Sequence, residues 1–460
     1  NKQPEQTRNQ GYAESRRRDA EAAEQPPRRF ATSDQWRARI EAVIPTASQT
    51  FSKCHQQFPA GHAPLFVSHG HGGRVWDVDG NEYVDLVGGL LPVVLGYRDA
   101  DVDAAIRDQL DRGITFSLPN PLEGELAERL VEIIPSAEMV RFGKNGTDAT
   151  SAAIRLARAA TGRERVVVIG YHGWQDWYIG ATTRSKGVPQ AVQALTHKVP
   201  FNDLNAIQAV IDAHPGEVAA VILEPAGAEE PAPGYLEGLR QLTHQTGVVL
   251  IFDEIHTGFR VALGGAQRHD GVTPDLTALG KALGNGMPIS AVVGRADIMR
   301  EMEQIFFSGT FGGETLSLAA AIAVIDKLQR EPVIDRLWGI GRELQRAFTT
   351  SAARHGLEQV LRLNGLPPWQ VLGFADHPAA SGQAIKTFVI KELLAHGVFS
   401  GGTFNPCYAH NDDDLALTGA ALDATFAALA AALDSGDFQR RLGVPVIQPV
   451  FQVRGAQSEG

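Results

Sequence analysis

The chain has 460 residues, 43% of them hydrophobic and 21% charged, with a formal net charge of −11. This is the balance of an ordinary folded protein and excludes disorder, collagen-like repeats or a disulfide scaffold for the bulk of the chain. The acidic charge argues against a nucleic-acid binder, which would present a basic face. Cys54 and Cys407 are the only cysteines, too few and too far apart for a disulfide framework or a zinc site. No run of 18 apolar residues occurs, so nothing is expected to span a membrane, and a cytoplasmic enzyme of two or three domains is the expectation.

Residues 1–30, rich in Arg, Glu, Gln and Pro and including Arg16-Arg17-Arg18, read as a flexible N-terminal tail without a secretory signal. Residues 31–90 form an N-terminal segment. In it, alternation on both sides of Asp79-Gly80-Asn81 predicts a β-hairpin. His69-Gly70-His71-Gly72-Gly73 reads as a glycine-rich turn, since no third metal ligand accompanies the histidines, and no metal is expected.

Residues 91–325 are expected to form a large domain. Short Val/Ile/Leu-rich runs at Met139–Phe142, Val166–Ile169, Val218–Leu223, Val248–Phe252 and Ile289–Val293 alternate with helical stretches such as Ala149–Ala160 and Leu204–Ala213. Near-continuous apolar strands separated by helices predict a mainly parallel sheet covered on both faces, with ligands at the carboxyl ends of its strands. Residues 326–437, with the Ala/Leu-rich core helix Leu415–Leu433, read as a smaller C-terminal α/β domain, and 438–460 as an irregular tail. The acids of Asn411-Asp412-Asp413-Asp414 sit at the start of that helix, where its dipole favours them.

The strand ends carry the chemistry. Gly143-Lys144-Asn145-Gly146-Thr147-Asp148 opens a helix, which suits either a phosphate or an ordinary N-cap. Gly170-Tyr171-His172-Gly173-Trp174 offers aromatic rings for a planar ligand, or for packing alone. Glu224 and Asp253 end apolar strands, where a carboxylate needs a cationic partner such as a protonated heterocyclic nitrogen. Lysine is scarce, nine against 33 arginines, and Lys281 lies in Leu279-Gly280-Lys281-Ala282-Leu283-Gly284 with no other charge nearby. Desolvation would lower its pKa and free its lone pair for imine formation. A phosphate-loop reading fails because Ala282 stands where that motif needs Ser or Thr. A phosphate cradle, a stacking aromatic, an acid for a ring nitrogen and an imine-forming lysine together fit pyridoxal 5′-phosphate (PLP).

These segments, with Val75-Trp76-Asp77-Val78-Asp79-Gly80-Asn81, Asp253-Glu254-Ile255-His256-Thr257-Gly258-Phe259-Arg260 and Gly309-Thr310-Phe311-Gly312-Gly313, resemble the class III PLP-dependent aminotransferases, especially the glutamate-1-semialdehyde aminomutase branch. The resemblance runs from about Ile40 to Leu433. It implies PLP fold type I, an α/β architecture with a seven-stranded-type sheet, and a homodimer with shared active sites. It makes Lys281 the Schiff-base lysine and proton shuttle, and Asp253 the partner of the pyridine nitrogen. Tyr171 would stack on one ring face and Ile255 pack on the other, with Asn145, Gly146 and Thr147 at the phosphate. Thr310 would reach the phosphate from the partner subunit. His172 and Glu224 would lie beside the cofactor, and His256 near its phenolic oxygen.

Two departures bear on the substrate. Ser48-Gln49-Thr50-Phe51-Ser52-Lys53 stands where the aminomutase branch carries an arginine for the substrate carboxylate, and lysine lacks that planar two-point grip. Glutamate-1-semialdehyde is therefore not the expected substrate. Gly401-Gly402-Thr403-Phe404-Asn405-Pro406-Cys407-Tyr408 offers hydroxyl and amide groups without a carboxylate, which suits a neutral, hydroxylated acceptor. The Ser-Gln-Thr-Phe-Ser-Lys and Phe311-Gly312-Gly313-Glu314 stretches look like a subgroup acting on sugar carbonyls in amino-sugar and gentamicin-type aminoglycoside biosynthesis. Glu314 itself could bind a substrate amine or cap the following helix. The expected activity is amino transfer from an amino-acid donor to a sugar-type ketone or aldehyde. The alternative is an isomerase, either an aminomutase or an epimerase at an amine-bearing carbon.

Overall fold

The computed structural model describes residues 28–450; Arg16-Arg17-Arg18, most of the expected N-terminal tail and residues 451–460 lie outside the described residues. Strands β1 (Val67–His71), β2 (Arg74–Asp77) and β3 (Glu82–Asp85) make an antiparallel ribbon. β2 and β3 are the hairpin that alternation predicts. The Asp77 carboxylate accepts from the backbone N–H groups of Asp79 and Asn81 in its turn, so the side chain supplies the local hydrogen bonds that shape the bend.

Seven strands form the central sheet: β4 (Met139–Gly143), β5 (Arg165–Ile169), β6 (Thr196–Lys198), β7 (Val218–Leu223), β8 (Val249–Asp253), β9 (Leu276–Leu279) and β10 (Ser290–Gly294). Their spatial order is β4-β10-β9-β8-β7-β5-β6. Every residue of β7, β8, β9 and β10 is buried, which is why these strands are apolar without alternation. Neighbours from β9 to β6 run parallel. β10 departs from the parallel expectation and runs against both β9 and β4. The short link from Gly280 to Ile289 cannot make the long crossover that a parallel return requires. Because β10 opposes both neighbours, β4 points the same way as β9. Six carboxyl ends therefore share one edge of the sheet with the helix Gly146–Thr161 that follows β4.

Strands β11 (Leu361–Asn364), β12 (Gln370–Phe374), β13 (Val398–Phe399) and β14 (Thr403–Phe404) belong to the C-terminal part. β11, β12 and β14 form a small antiparallel sheet, whereas β13 pairs in parallel with β3. The N-terminal segment thus shares a sheet with the C-terminal part. The helix Thr315–Arg330 runs straight across the expected boundary at 325/326.

The helix Asp412–Asp434 is long and apolar enough to cross a membrane by length and composition. Here Leu422, Phe426, Leu429 and Leu433 fall on one stripe and pack into the C-terminal core with Phe348, Phe388 and Phe404. The stretch expected to be an irregular tail begins differently: Phe438–Leu442 is a helix, and Phe438, Leu442 and Val444 join that core. Its apolar residues four apart make it a core element, a signal too short to stand out in the sequence.

Candidate active site

The strand order brings together what the sequence separates. Tyr171 follows β5, Glu224 follows β7, Asp253 ends β8 and Lys281 lies two residues beyond β9, on four adjacent parallel strands. This is the edge where open parallel sheets bind ligands. The helix beginning at Gly146 starts on the same edge.

Asp253 and Glu254 illustrate the two-sidedness of the sheet. Successive side chains at a strand end point to opposite faces. Glu254 turns inward and is fully buried, accepting from Thr257 Oγ1 and from the backbone N–H groups that open the helix Gly265–Asp270. Asp253 turns toward the site, with Oδ1 accepting from Ile255 N at 3.2 Å and Oδ2 lying 2.8 Å from His172 Nδ1. His172 Nε2 lies 3.0 Å from the Ile169 carbonyl, which can only accept, so that nitrogen carries a proton. A further proton lies between Nδ1 and the carboxylate. His172 is thus not open to a planar ligand: it is buried behind Asp253 with its ring stacked on Trp177, and of the Tyr171-His172 pair only Tyr171 is exposed. Asp253 Oδ1 keeps acceptor capacity for a cationic N–H.

Glu224 bridges two further residues, accepting from Tyr171 N at 3.0 Å and lying 3.2 Å from His256 Nδ1. Burial alone would raise its carboxyl pKa, but His256 and His172 outweigh it and hold the pKa below the usual value. Burial, Asp253 and Glu224 together raise the Tyr171 phenol. Trp369, from the C-terminal part, meets His256 edge-on at 4.7 Å. Its place here was missed in the sequence, because a lone tryptophan between two domains' worth of chain carries no motif.

Lys281 has φ +42°, a strained value for a residue with a side chain, in the sharp turn from β9 into the short helix Lys281–Gly284. Burial lowers its pKa to about 8 against the pull of Glu224 and Asp253, and the charges of Arg260 and Lys53 add to the lowering. Lys53, on the segment 48–53, is therefore within electrostatic reach of the site.

At the helix start, Gly146 and Thr147 have backbone N–H groups without an intrahelical acceptor, while Asp148 takes those of Lys144 and Asn145. Thr147 Oγ1 is buried with no partner. Ile255 packs so close that a Cβ on Gly146 would lie 2.7 Å from its Cδ1. An orphaned hydroxyl beside free N–H groups, an apolar floor at Ile255, an acid with an open lone pair and a lysine whose proton is loosened by burial fit PLP. Thr310 lies exposed on the loop 308–313. Of the two readings of Glu314, the structure supports the cap: it accepts from Leu316 N and Ser317 N and pairs with Lys144 Nζ at 2.8 Å, so both oxygens are taken.

The sequence model for the family described as aminotransferase class-III matches residues 57–428. The 3-aminobutyryl-CoA aminotransferase of Cloacimonas acidaminovorans (strain Evry) is 37% identical over 371 residues, covering 78% of this chain and 88% of that one. A glutamate-1-semialdehyde 2,1-aminomutase of Exiguobacterium sibiricum is 37% identical over 397 residues, 80% of this chain and 90% of that one. Among solved structures, the FumI protein of Sphingopyxis sp. MTA144, in its PLP internal aldimine form, superposes with a TM-score of 0.82 at 29% identity, covering 90% of this chain and 98% of that one. On the match across residues 57–428, the chain belongs to the class III aminotransferases, PLP-dependent enzymes of fold type I.

Proposed function

We propose that this enzyme moves an amino group from an amino-acid donor to a ketone or aldehyde on a neutral, hydroxylated acceptor of the sugar type, as amino-sugar or aminoglycoside antibiotic assembly requires. The observation that carries the acceptor half is Lys53, whose charge reaches Lys281 from the segment where a carboxylate-binding arginine would stand. An ammonium is a point charge without the guanidinium's planar fork.

Bound PLP supplies an aldehyde that captures amines and a ring that withdraws electrons. On this reading the N–H groups of Gly146 and Thr147, with Thr147 Oγ1, bind its phosphate. Asp253, backed by His172, holds a proton at the ring nitrogen. Tyr171 covers one ring face and Ile255 the other, while Glu224 and His256 orient its polar edge. Lys281 Nζ would hold the aldehyde and, once an incoming amine has displaced it, would be free to carry the proton at the substrate carbon. Thr310 is assigned to the phosphate site of a second copy. On its loop region Phe306 is 84% and Phe311 59% exposed, apolar surface that a homodimer would cover.

The test is a screen of purified enzyme with glutamate or glutamine against oxidised aminoglycosides, keto-sugars, glutamate-1-semialdehyde and a 3-oxobutyryl thioester. Turnover of a carbohydrate ketone is expected; turnover of either of the last two alone would overturn the acceptor assignment. The identity to aminomutases favours one second reading, an isomerase at an amine-bearing carbon. Net conversion without a donor, with solvent deuterium taken up, would select it.

A further inference from the structure

Arg260 heads the fully buried side chains in size, at 0% exposure. A buried cation is costly unless compensated, yet no carboxylate among the described residues pairs with it, and burial lowers its pKa to about 10. Its fork is spent on three carbonyls from three parts of the chain. Nη1 donates to Pro368 O at 3.1 Å and Pro406 O at 2.7 Å, and Nη2 to Leu91 O at 2.9 Å, while Nε is buried without a partner.

The segments it joins are unusual. Leu90 and Leu91 have φ of +77° and +81°, following Gly88 and Gly89 at +57° and +65°, so four successive residues are left-handed. Two leucines in that region are strained and persist only where neighbours over-determine them. Asn405 holds the same turn from the other side, donating from Nδ2 to Val87 O, while its own N–H donates to Leu86 O. Pro368 precedes Trp369, the ring that rests on His256 of the Glu224 pair. Arg260 also acts electrostatically on Lys281. Trp369 carries these contacts to the site through His256, and the guanidinium itself has no part in the chemistry assigned above.

We propose that Arg260 is a positioning residue for amino transfer: its guanidinium ties the left-handed turn 88–91 to the Pro368-Trp369 and Pro406 segments, so that substrate meets a wall of fixed shape. The inference rests on the site assigned above and not on the acceptor, because the donor half-reaction alone can be followed.

The test compares the wild-type holoenzyme with Arg260→Lys and Arg260→Met. Arg260→Lys keeps the cation but cannot span three carbonyls in one plane. It should raise the donor KM about tenfold while kcat changes by less than about threefold. Amide hydrogen exchange over residues 86–96 and 365–370 should accelerate about tenfold, with β7 and β8 unchanged. Arg260→Met should add an upward shift in the pH midpoint for Lys281, because the neighbouring charge is gone. Wild-type KM and exchange in Arg260→Lys would overturn the proposal, as would acceleration spread evenly over the molecule, the signature of a merely structural role. If Arg260→Met fails to fold, Arg260→Lys and the exchange pattern decide. Failure of every acceptor in the sugar screen leaves these readouts intact, so the two ideas fail separately.

Discussion

Replacing Gly173 by alanine probes the cofactor cradle from behind. Gly173 has φ +107°, and a Cβ there would lie 2.4 Å from Thr147 Oγ1, 2.7 Å from its Cβ and 3.2 Å from its Cα. The backbone strain costs about 1–3 kcal/mol. Crowding against a helix start that cannot retreat costs about 1–3 kcal/mol more. The entropy that alanine removes from the unfolded chain returns only about 0.4–1 kcal/mol. The net expectation is a loss of about 1–5.6 kcal/mol, read as a lower urea midpoint at unchanged slope in the cofactor-free protein. Since the atom displaced is the orphaned hydroxyl, PLP affinity in equilibrium dialysis should also fall about tenfold or more, equivalent to about 1.4 kcal/mol. Gly271→Ala is the control: it has φ +72° but nothing within 4 Å of its Cβ, so it bears strain alone and should cost about 1–2 kcal/mol. If Gly173→Ala lost no more than Gly271→Ala and kept its PLP affinity, the reasoning about Thr147 would be refuted.

The Lys281 amine should lose its proton with a midpoint near 8, so the rate at which apoprotein takes up PLP should climb as pH rises through about 8 and then level off; a midpoint near 10.5 would show that burial does not act on it. The same lowered pKa means the unfolded chain binds more protons between about 8 and 10.5, so apoprotein stability from this group rises with pH across that window and is flat below it. Phe438→Ala should cost about 3–5 kcal/mol in urea unfolding, a core value that an irregular tail could not give. Glu314→Ala should cost about 1–2 kcal/mol through the lost helix cap while leaving the donor KM within about twofold, whereas a large KM rise would restore the amine-binding role.

Much of the site was legible because each part announces itself locally. An apolar strand ending in an acid, as at Asp253, or a lysine stranded among small residues, as at Lys281, is visible in a few consecutive letters. Strand positions in the central sheet came from the same runs. β9 and β6 were not seen, since Leu-Thr-Ala-Leu and Thr-His-Lys are too short and too mixed to carry a period. The antiparallel course of β10 depends on the length of one link, not on its composition. Pairings remote in sequence stayed hidden: His172 behind Asp253, Trp369 on His256, and the three carbonyls of Arg260 have no spacing rule. Glu314 was ambiguous because a carboxylate at a helix start looks the same whether it caps or waits for an amine, and only its occupied oxygens decide.

The pairing of β3 with β13 has a consequence for biosynthesis. A ribosome releases residues 82–85 long before 398–399, so one rim of the early ribbon stays open while nearly the whole polypeptide is made. Until the last helices arrive, that rim is a template for any other extended strand in reach. Yield on overexpression should then depend on chaperone supply and growth temperature, and prematurely terminated products should clump instead of accumulating as dissolved fragments.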